Sequence, residues 1–144
     1  MRLEHLCDME LAYRTDFLLV RPYGGEEGTG YGEGDGRVHG GALTGTIRWA
    51  NHPHRRTDGV MLPDAHGVIT TDDGALIMFT LRGRTSFAGD VGAQLLWVTL
   101  EAEDERYRRF NGEMHVLEGV IDAQTLVMHA KVYTCVNELA PATG

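Results

Sequence analysis

Apolar residues in this chain recur with a period of two and hardly anywhere with a period near 3.6. In Leu43 to Ala50, Gly45, Ile47 and Trp49 fall on one side, and Thr44, Thr46 and Arg48 on the other. In Ala75 to Arg82, Ala75, Ile77, Phe79 and Leu81 oppose Leu76, Met78, Thr80 and Arg82. Successive side chains of an extended strand point to opposite faces, so this pattern predicts β-structure. Runs of the same kind cover Leu3 to Tyr13, Phe17 to Arg21, Val60 to Leu62, Gly67 to Thr71, Gln94 to Glu101, Met114 to Ile121 and Thr125 to Cys135. One or two helical turns around Glu103 to Phe110 are the exception. Glycine points the same way: it supplies 19 of 144 residues, and each one inside a helix would cost about 1 kcal/mol.

No strand–helix–strand alternation appears, so a parallel sheet is excluded. Thr71-Asp72-Asp73-Gly74 reads as a hairpin turn, the Asp-Gly step being suited to type I′ geometry; this makes Asp72 and Asp73 turn residues rather than a catalytic pair. Gln94 to Leu100 carries Leu96, Val98 and Leu100 on one face and Leu95 and Trp97 on the other, which a sheet with one solvated face does not explain. The reading that fits is all-β: a single closed antiparallel barrel of eight or nine strands over residues 1–144, with a ligand-lined interior or a homodimer contact. Between Gly24 and Gly36 glycines alternate at positions 28, 30, 32, 34 and 36. No GxGxxG can be laid over them and no helix follows, so a dinucleotide cradle is excluded, and a flexible loop at the barrel mouth is expected.

Lys and Arg number 13 against 21 Asp and Glu, a net charge of −8. An acidic surface repels a phosphate backbone, so no nucleic-acid partner is expected. No apolar stretch reaches the length of a membrane span, and Met1 to His5 lacks the apolar core of a signal peptide. The expectation is a cytoplasmic protein with no membrane partner. Cys7 and Cys135 show no CxxC spacing and read as free thiols.

Gly40-Gly41-Ala42-Leu43-Thr44-Gly45-Thr46-Ile47, Ile69-Thr70-Thr71-Asp72-Asp73-Gly74-Ala75-Leu76-Ile77 and Tyr107-Arg108-Arg109-Phe110-Asn111 resemble segments of the DUF3237 (UPF0311) family. The similarity runs from Leu3 to about Asn137, and the Thr-Asp-Asp-Gly-Ala-Leu-Ile segment is its most specific part. The resemblance implies a small bacterial protein with a lipocalin-like antiparallel barrel. It implies no particular chemistry, which has to be sought in the residues.

The residues restrict that chemistry. Ser86 is the one serine and lacks a GxSxG setting. Lys131 is the one lysine, and it shares a strand face with Val127, His129 and Tyr133, where a desolvated amine would form an imine with a carbonyl compound. Seven histidines invite a metal, but His52-Pro53-His54 beside Arg55 and Arg56 is a poor cation site, and the spacing of His39, His66 and His129 gives no support, so neither metal nor cofactor is expected. Non-covalent acid–base catalysis remains. Its candidates are Glu118, a carboxylate between Val116 and Val120, with His66 and His129 as alternative proton-transfer groups and Arg48 as oxyanion partner. Trp49, Trp97, Lys131 and Tyr133 are candidate ligand contacts. The function expected is a lyase, isomerase or cyclase acting on an apolar carbonyl- or phenol-bearing metabolite inside the barrel. A non-catalytic carrier is the alternative.

Overall fold

The computed structural model describes residues 1–141. Its strands are β1 (Arg2–Tyr13), β2 (Leu18–Val20), β3 (Gly28–His39), β4 (Gly45–Asn51), β5 (His54–Arg55), β6 (Met61–Leu62), β7 (Asp64–Thr71), β8 (Leu76–Ala88), β9 (Val91–Ala102), β10 (Met114–Asp122) and β11 (Val127–Val136). Eight of them form a closed antiparallel barrel in chain order, β1-β3-β4-β7-β8-β9-β10-β11. The ring shuts where β1 pairs with β11 on one edge, Arg2 opposite Val136, and with β3 on the other, Asp8 opposite His39. No helix among the described residues is long and apolar enough to cross a membrane.

One face of every long strand fills the interior. Cys7, Met9 and Leu11 come from β1, Ile47 and Trp49 from β4, Ile69 from β7, Ile77, Phe79 and Leu81 from β8, Leu96, Val98 and Leu100 from β9, Leu117 and Ile121 from β10, and Met128 and Val132 from β11. Burying this set supplies the dominant stabilising term, about 1.5–3 kcal/mol for each large apolar side chain. Both cysteines are free, and burial pushes the Cys7 thiol up to about 12.

The glycine-rich segment departs from the loop expected for it, because β3 begins at Gly28. Gly28, Gly30, Gly32 and Gly34 are buried on its inner face, and aromatic rings occupy the space that side chains at 30, 32 and 34 would take. A Cβ on Gly30 would lie 2.6 Å from Phe17 Cζ, and one on Gly32 would lie 2.6 Å from Tyr13 Cε1. One on Gly34 would overlap the Trp49 ring and the Ala12 carbonyl. Strict alternation of glycine is thus a strand pattern, one in which the inner face is left empty for rings contributed by other segments.

Two further expectations are corrected. The hairpin at Thr71 to Gly74 is present, with Gly74 N–H donating to Thr71 C=O at 3.0 Å, but only Gly74 has positive φ. It is therefore a three-residue loop ending in a left-handed glycine rather than type I′. Thr71 Oγ accepts the Ala75 N–H at 2.7 Å and keeps that residue in the ladder. The helix is a single 3₁₀ turn, Arg108–Gly112. Phe110 from this turn plugs one end of the barrel, and the Asn111 amide binds both backbone groups of Ala102, at 2.7 and 2.8 Å. Tyr107 hydroxyl donates to Asp73 at 2.7 Å, so the hairpin and the 3₁₀ turn meet at this closed end.

Candidate functional site

At the opposite end the barrel is open. β4 and β7 stop there, and the wall continues through β5 and β6, with β5 paired to β3 at Gly28 and β6 to β8 at Thr85. Pro53 and Pro63, which lack a backbone N–H, mark the places where the wall leaves the main ladder. Phe17 and Leu19, on the chain between β1 and β3, lean over the rim. Inside lies a cavity of about 240 Å³, floored by Tyr13, Asn51, Thr85 and Gln94 and walled by Phe17, Met61, Phe87, Ile121 and Leu126, with Arg55 at its side. Leu126 is the one non-glycine residue with positive φ among those described, 58°. A conformation of that kind costs about 1–3 kcal/mol and is characteristic of functional loops. Here Leu126 N–H is tied to Asp122 C=O at 2.8 Å and its own carbonyl accepts the Tyr13 N–H at 3.2 Å.

The polar groups are ordered by one another. Asn51 Oδ1 accepts the backbone N–H of Asp64 at 3.0 Å, which fixes the orientation of the amide. Its Nδ2 therefore donates to the Tyr13 hydroxyl oxygen at 2.9 Å. Tyr13 receives this bond, and among the described residues its own O–H has no acceptor. Burial pushes the phenol above its ordinary value, while hydrogen bonding from Asn51 and Trp49 acts the other way. Tyr13 is accordingly a protonated donor whose oxygen is already prepared to carry negative charge. Gln94 Nε2 donates to Thr85 Oγ at 3.3 Å on the facing wall. Arg55 is the one formally charged side chain of the lining; its Nε donates to Glu26 C=O at 2.6 Å and its Nη2 lies 3.7 Å from the Glu26 carboxylate, which leaves Nη1 to reach a ligand.

Of the residues singled out from the sequence, only Trp49 is inside. It packs edge-on against Tyr13, ring centres 5.6 Å apart, behind the cavity floor. Arg48, His66, Trp97, Glu118, His129, Lys131 and Tyr133 all lie on the outer face. The cause is strand parity: Ile47, Leu96, Leu117, Ala130 and Val132 turn inward, so their neighbours turn out. Glu118 accepts a hydrogen bond from the Tyr133 hydroxyl at 2.7 Å, His66 pairs with Asp64 at 2.9 Å, and His129 lies 3.9 Å from Glu10. Lys131 is exposed and 3.3 Å from Asp8, the opposite of the desolvated amine that imine chemistry requires. None of these groups lines the open-end cavity, so the expected set of Glu118, His66, His129 and Arg48 is not brought together there; the polar lining includes Tyr13, Asn51 and Arg55 instead. Those three residues, with Thr85 and Gln94, are absent from the sequence-based expectations. The signal for Asn51, Thr85 and Gln94 is that each extends the core-facing parity of its strand to the barrel end with a polar residue.

In sequence, no family model and no curated protein matches the chain. In structure it is similar to a β-barrel-like protein from Acinetobacter baumannii AYE, with TM-score 0.82, 17% identity, and 92% of this chain and 94% of the other covered. It is similar to a protein of unknown function from Clostridium acetobutylicum, with TM-score 0.84, 17% identity, and 94% and 100% covered. An enzyme from Penicillium herquei aligns with TM-score 0.72, 20% identity, and 92% of each chain covered. At these identities the likeness is one of fold: the chain shares a closed β-barrel with bacterial and fungal proteins, one of them an enzyme.

Proposed function

We propose that this protein holds a small apolar metabolite bearing a carbonyl or phenol oxygen in the open-end cavity and moves a proton on it, as a cofactor-independent isomerase or cyclase. The observation that carries this reading is the Tyr13 hydroxyl, whose proton has no acceptor among the described residues while its oxygen already accepts from Asn51. A ligand carbonyl is the partner that this arrangement lacks. In the step, the Tyr13 proton passes to the carbonyl oxygen as that oxygen gains electron density, and the phenolate left behind is held by the Asn51 N–H. Arg55, one of whose terminal nitrogens is paired with the Glu26 carboxylate, offers the other to an ionised group of the same ligand. The cavity of about 240 Å³ lies just below the ~300 Å³ at which drug-sized sites begin, which suits a compound of one or two rings. No carboxylate or imidazole is among the lining residues, so the complementary base is the ligand's own ionised hydroxyl or a water at the mouth. That narrows the chemistry to ring closure or isomerisation. The same absence favours the second reading, a carrier without catalysis. Membership of the DUF3237 family, suggested by the Gly40–Ile47, Ile69–Ile77 and Tyr107–Asn111 segments, belongs to this proposal and is compatible with either reading.

Titration with 2-acetylnaphthalene and with 2-ethylnaphthalene tests it. Tyr13→Phe is expected to weaken the ketone by about 3- to 10-fold, the worth of one neutral hydrogen bond, and to leave the hydrocarbon unchanged. Equal losses for both would overturn the role given to Tyr13. Exchange of the ketone's α-protons with deuterated water, followed by NMR, separates the two readings: exchange that depends on Tyr13 supports catalysis, and binding without exchange supports carriage.

A further inference from the structure

The outward residues of β9 are Val91, Ala93, Leu95 and Trp97, an unbroken apolar row before Thr99, with Leu95 71% and Trp97 57% exposed. The solvent side of an antiparallel sheet ordinarily carries polar residues, and a contiguous apolar patch on a monomer marks a contact surface. The strand register widens this row into a patch. Ala93 lies between Ser86 and Val120, Leu95 between Arg84 and Glu118, and Trp97 between Arg82 and Val116. We infer that two copies of this chain associate through the outer faces of β8, β9 and β10, about a two-fold axis that runs along β9 in the plane of contact.

The patch carries its own complement, which is why a second copy is the occupant. Arg84 and Glu118 stand on opposite flanks of Leu95 in one cross-strand row. A two-fold axis along β9 exchanges the flanks, so each Arg84 faces the partner copy's Glu118 and the two apolar rows stack on each other. Arg82 is already paired with Asp64 at 2.9 Å, whereas Arg84 has no carboxylate of its own chain within ion-pair distance among the described residues. Glu118 is held in place by the Tyr133 hydroxyl at 2.7 Å. Two sheets packed face to face keep their strands nearly aligned, as this axis requires. Three strands at about 4.8 Å spacing and ten residues at about 3.4 Å rise span roughly 14 by 34 Å in projection. That is about 480 Å² on each copy, below the ~800 Å² that each partner gives to a standard interface, so the dimer belongs to the weak, concentration-dependent class. An acidic or basic partner of another kind would leave one of the two flanking charges facing its like.

Sedimentation velocity of the full chain, over a wide range of concentration, reads the association directly. A dimer of twice the 15.9 kDa chain mass is expected. Leu95→Asp is expected to weaken it by about 100-fold, and Arg84→Glu or Glu118→Arg alone by about 10-fold each. The geometry makes one demand that no general stickiness meets: an equimolar mixture of the Arg84→Glu and Glu118→Arg chains restores a dimer, because both cross-pairs then attract. The three positions are exposed, so circular dichroism stays at the wild-type spectrum, and Tm falls only by the stabilisation that association supplies, a loss that dilution of the wild type reproduces. A wild-type chain monomeric at its highest concentration overturns the inference. So does a dimer indifferent to Leu95→Asp, or a mixture that stays as weak as its components.

Discussion

Replacing Gly32 by Ala tests whether the inner face of β3 is empty because rings need the room. The added Cβ would stand 2.6 Å from Tyr13 Cε1 and 2.8 Å from Cδ1, whereas carbon atoms in contact settle at about 3.5–4.0 Å. The ring must retreat by about 1 Å to reach that separation. Its hydroxyl, 2.9 Å from Asn51 Nδ2, then leaves hydrogen-bond range. Overpacking costs about 1–3 kcal/mol and the lost bond about 1 kcal/mol, against about 0.5–1 kcal/mol returned by removing a glycine from a strand. The net is about 2 kcal/mol, or a fall in Tm of ~6 °C for a chain near this length. Urea unfolding followed by circular dichroism measures it, and the cycle with Tyr13→Leu isolates the cause. With the ring gone, only Phe17 Cδ2 at 3.1 Å still crowds the new Cβ, so most of the cost should vanish, a coupling of about 2 kcal/mol. An equal cost in both backgrounds would refute the reasoning, since the penalty would then come from the backbone or from Phe17 and not from the Tyr13 ring.

The thiols and the buried imidazole make two further predictions. Cys7 is fully buried with its thiol pushed up to about 12, so Ellman's reagent should titrate one thiol, Cys135, in the native protein and both in denaturant; two fast equivalents in the native state would contradict the burial. His115 is buried beside Phe110, and burial lowers its pKa below the ordinary 6.5. The unfolded chain therefore takes the extra proton as pH falls below about 6.5, and the stability that is complete above that pH is lost on the way down to the folded-state value. The hydrogen-bonded carboxylates of Asp58 and Asp104, both held at about 2, act in the same direction but only below about pH 4. Tm should thus decline between about pH 7 and 5 in the wild type and stay flatter in His115→Leu, and identical slopes would remove His115 from the account.

The barrel was legible because period-two patterning is a local property: Leu43 to Ala50 and Ala75 to Arg82 announce their strands without reference to anything distant. The site was not, because strand parity is decided by the whole ring. On β9 both faces are apolar from Leu95 to Val98, and only Thr99 beyond them marks the side of Leu95 and Trp97 as the outer one, while Leu96 and Val98 go in. Glu118 looks like a carboxylate stranded on an apolar face for the same reason, and that face, like the one Lys131 shares with His129 and Tyr133, turns outward. Asn51, Thr85 and Gln94 could have been found by following Ile47, Phe79 and Leu96 along their strands to the open end. Tyr13 required knowing that β1 pairs with β3, which lays the ring over Gly32, a relation between segments about 20 residues apart.

The glycine ladder also bears on how such a barrel changes its ligand. The rings of Tyr13 and Phe17 border the cavity on one side and rest against β3 glycines on the other. A methyl group added to the wall strand is therefore relayed through a ring into the binding space, from a residue that never meets the ligand. Selectivity can drift by single small substitutions on β3 while every contacting residue stays the same, so two barrels with identical linings need not admit the same molecule.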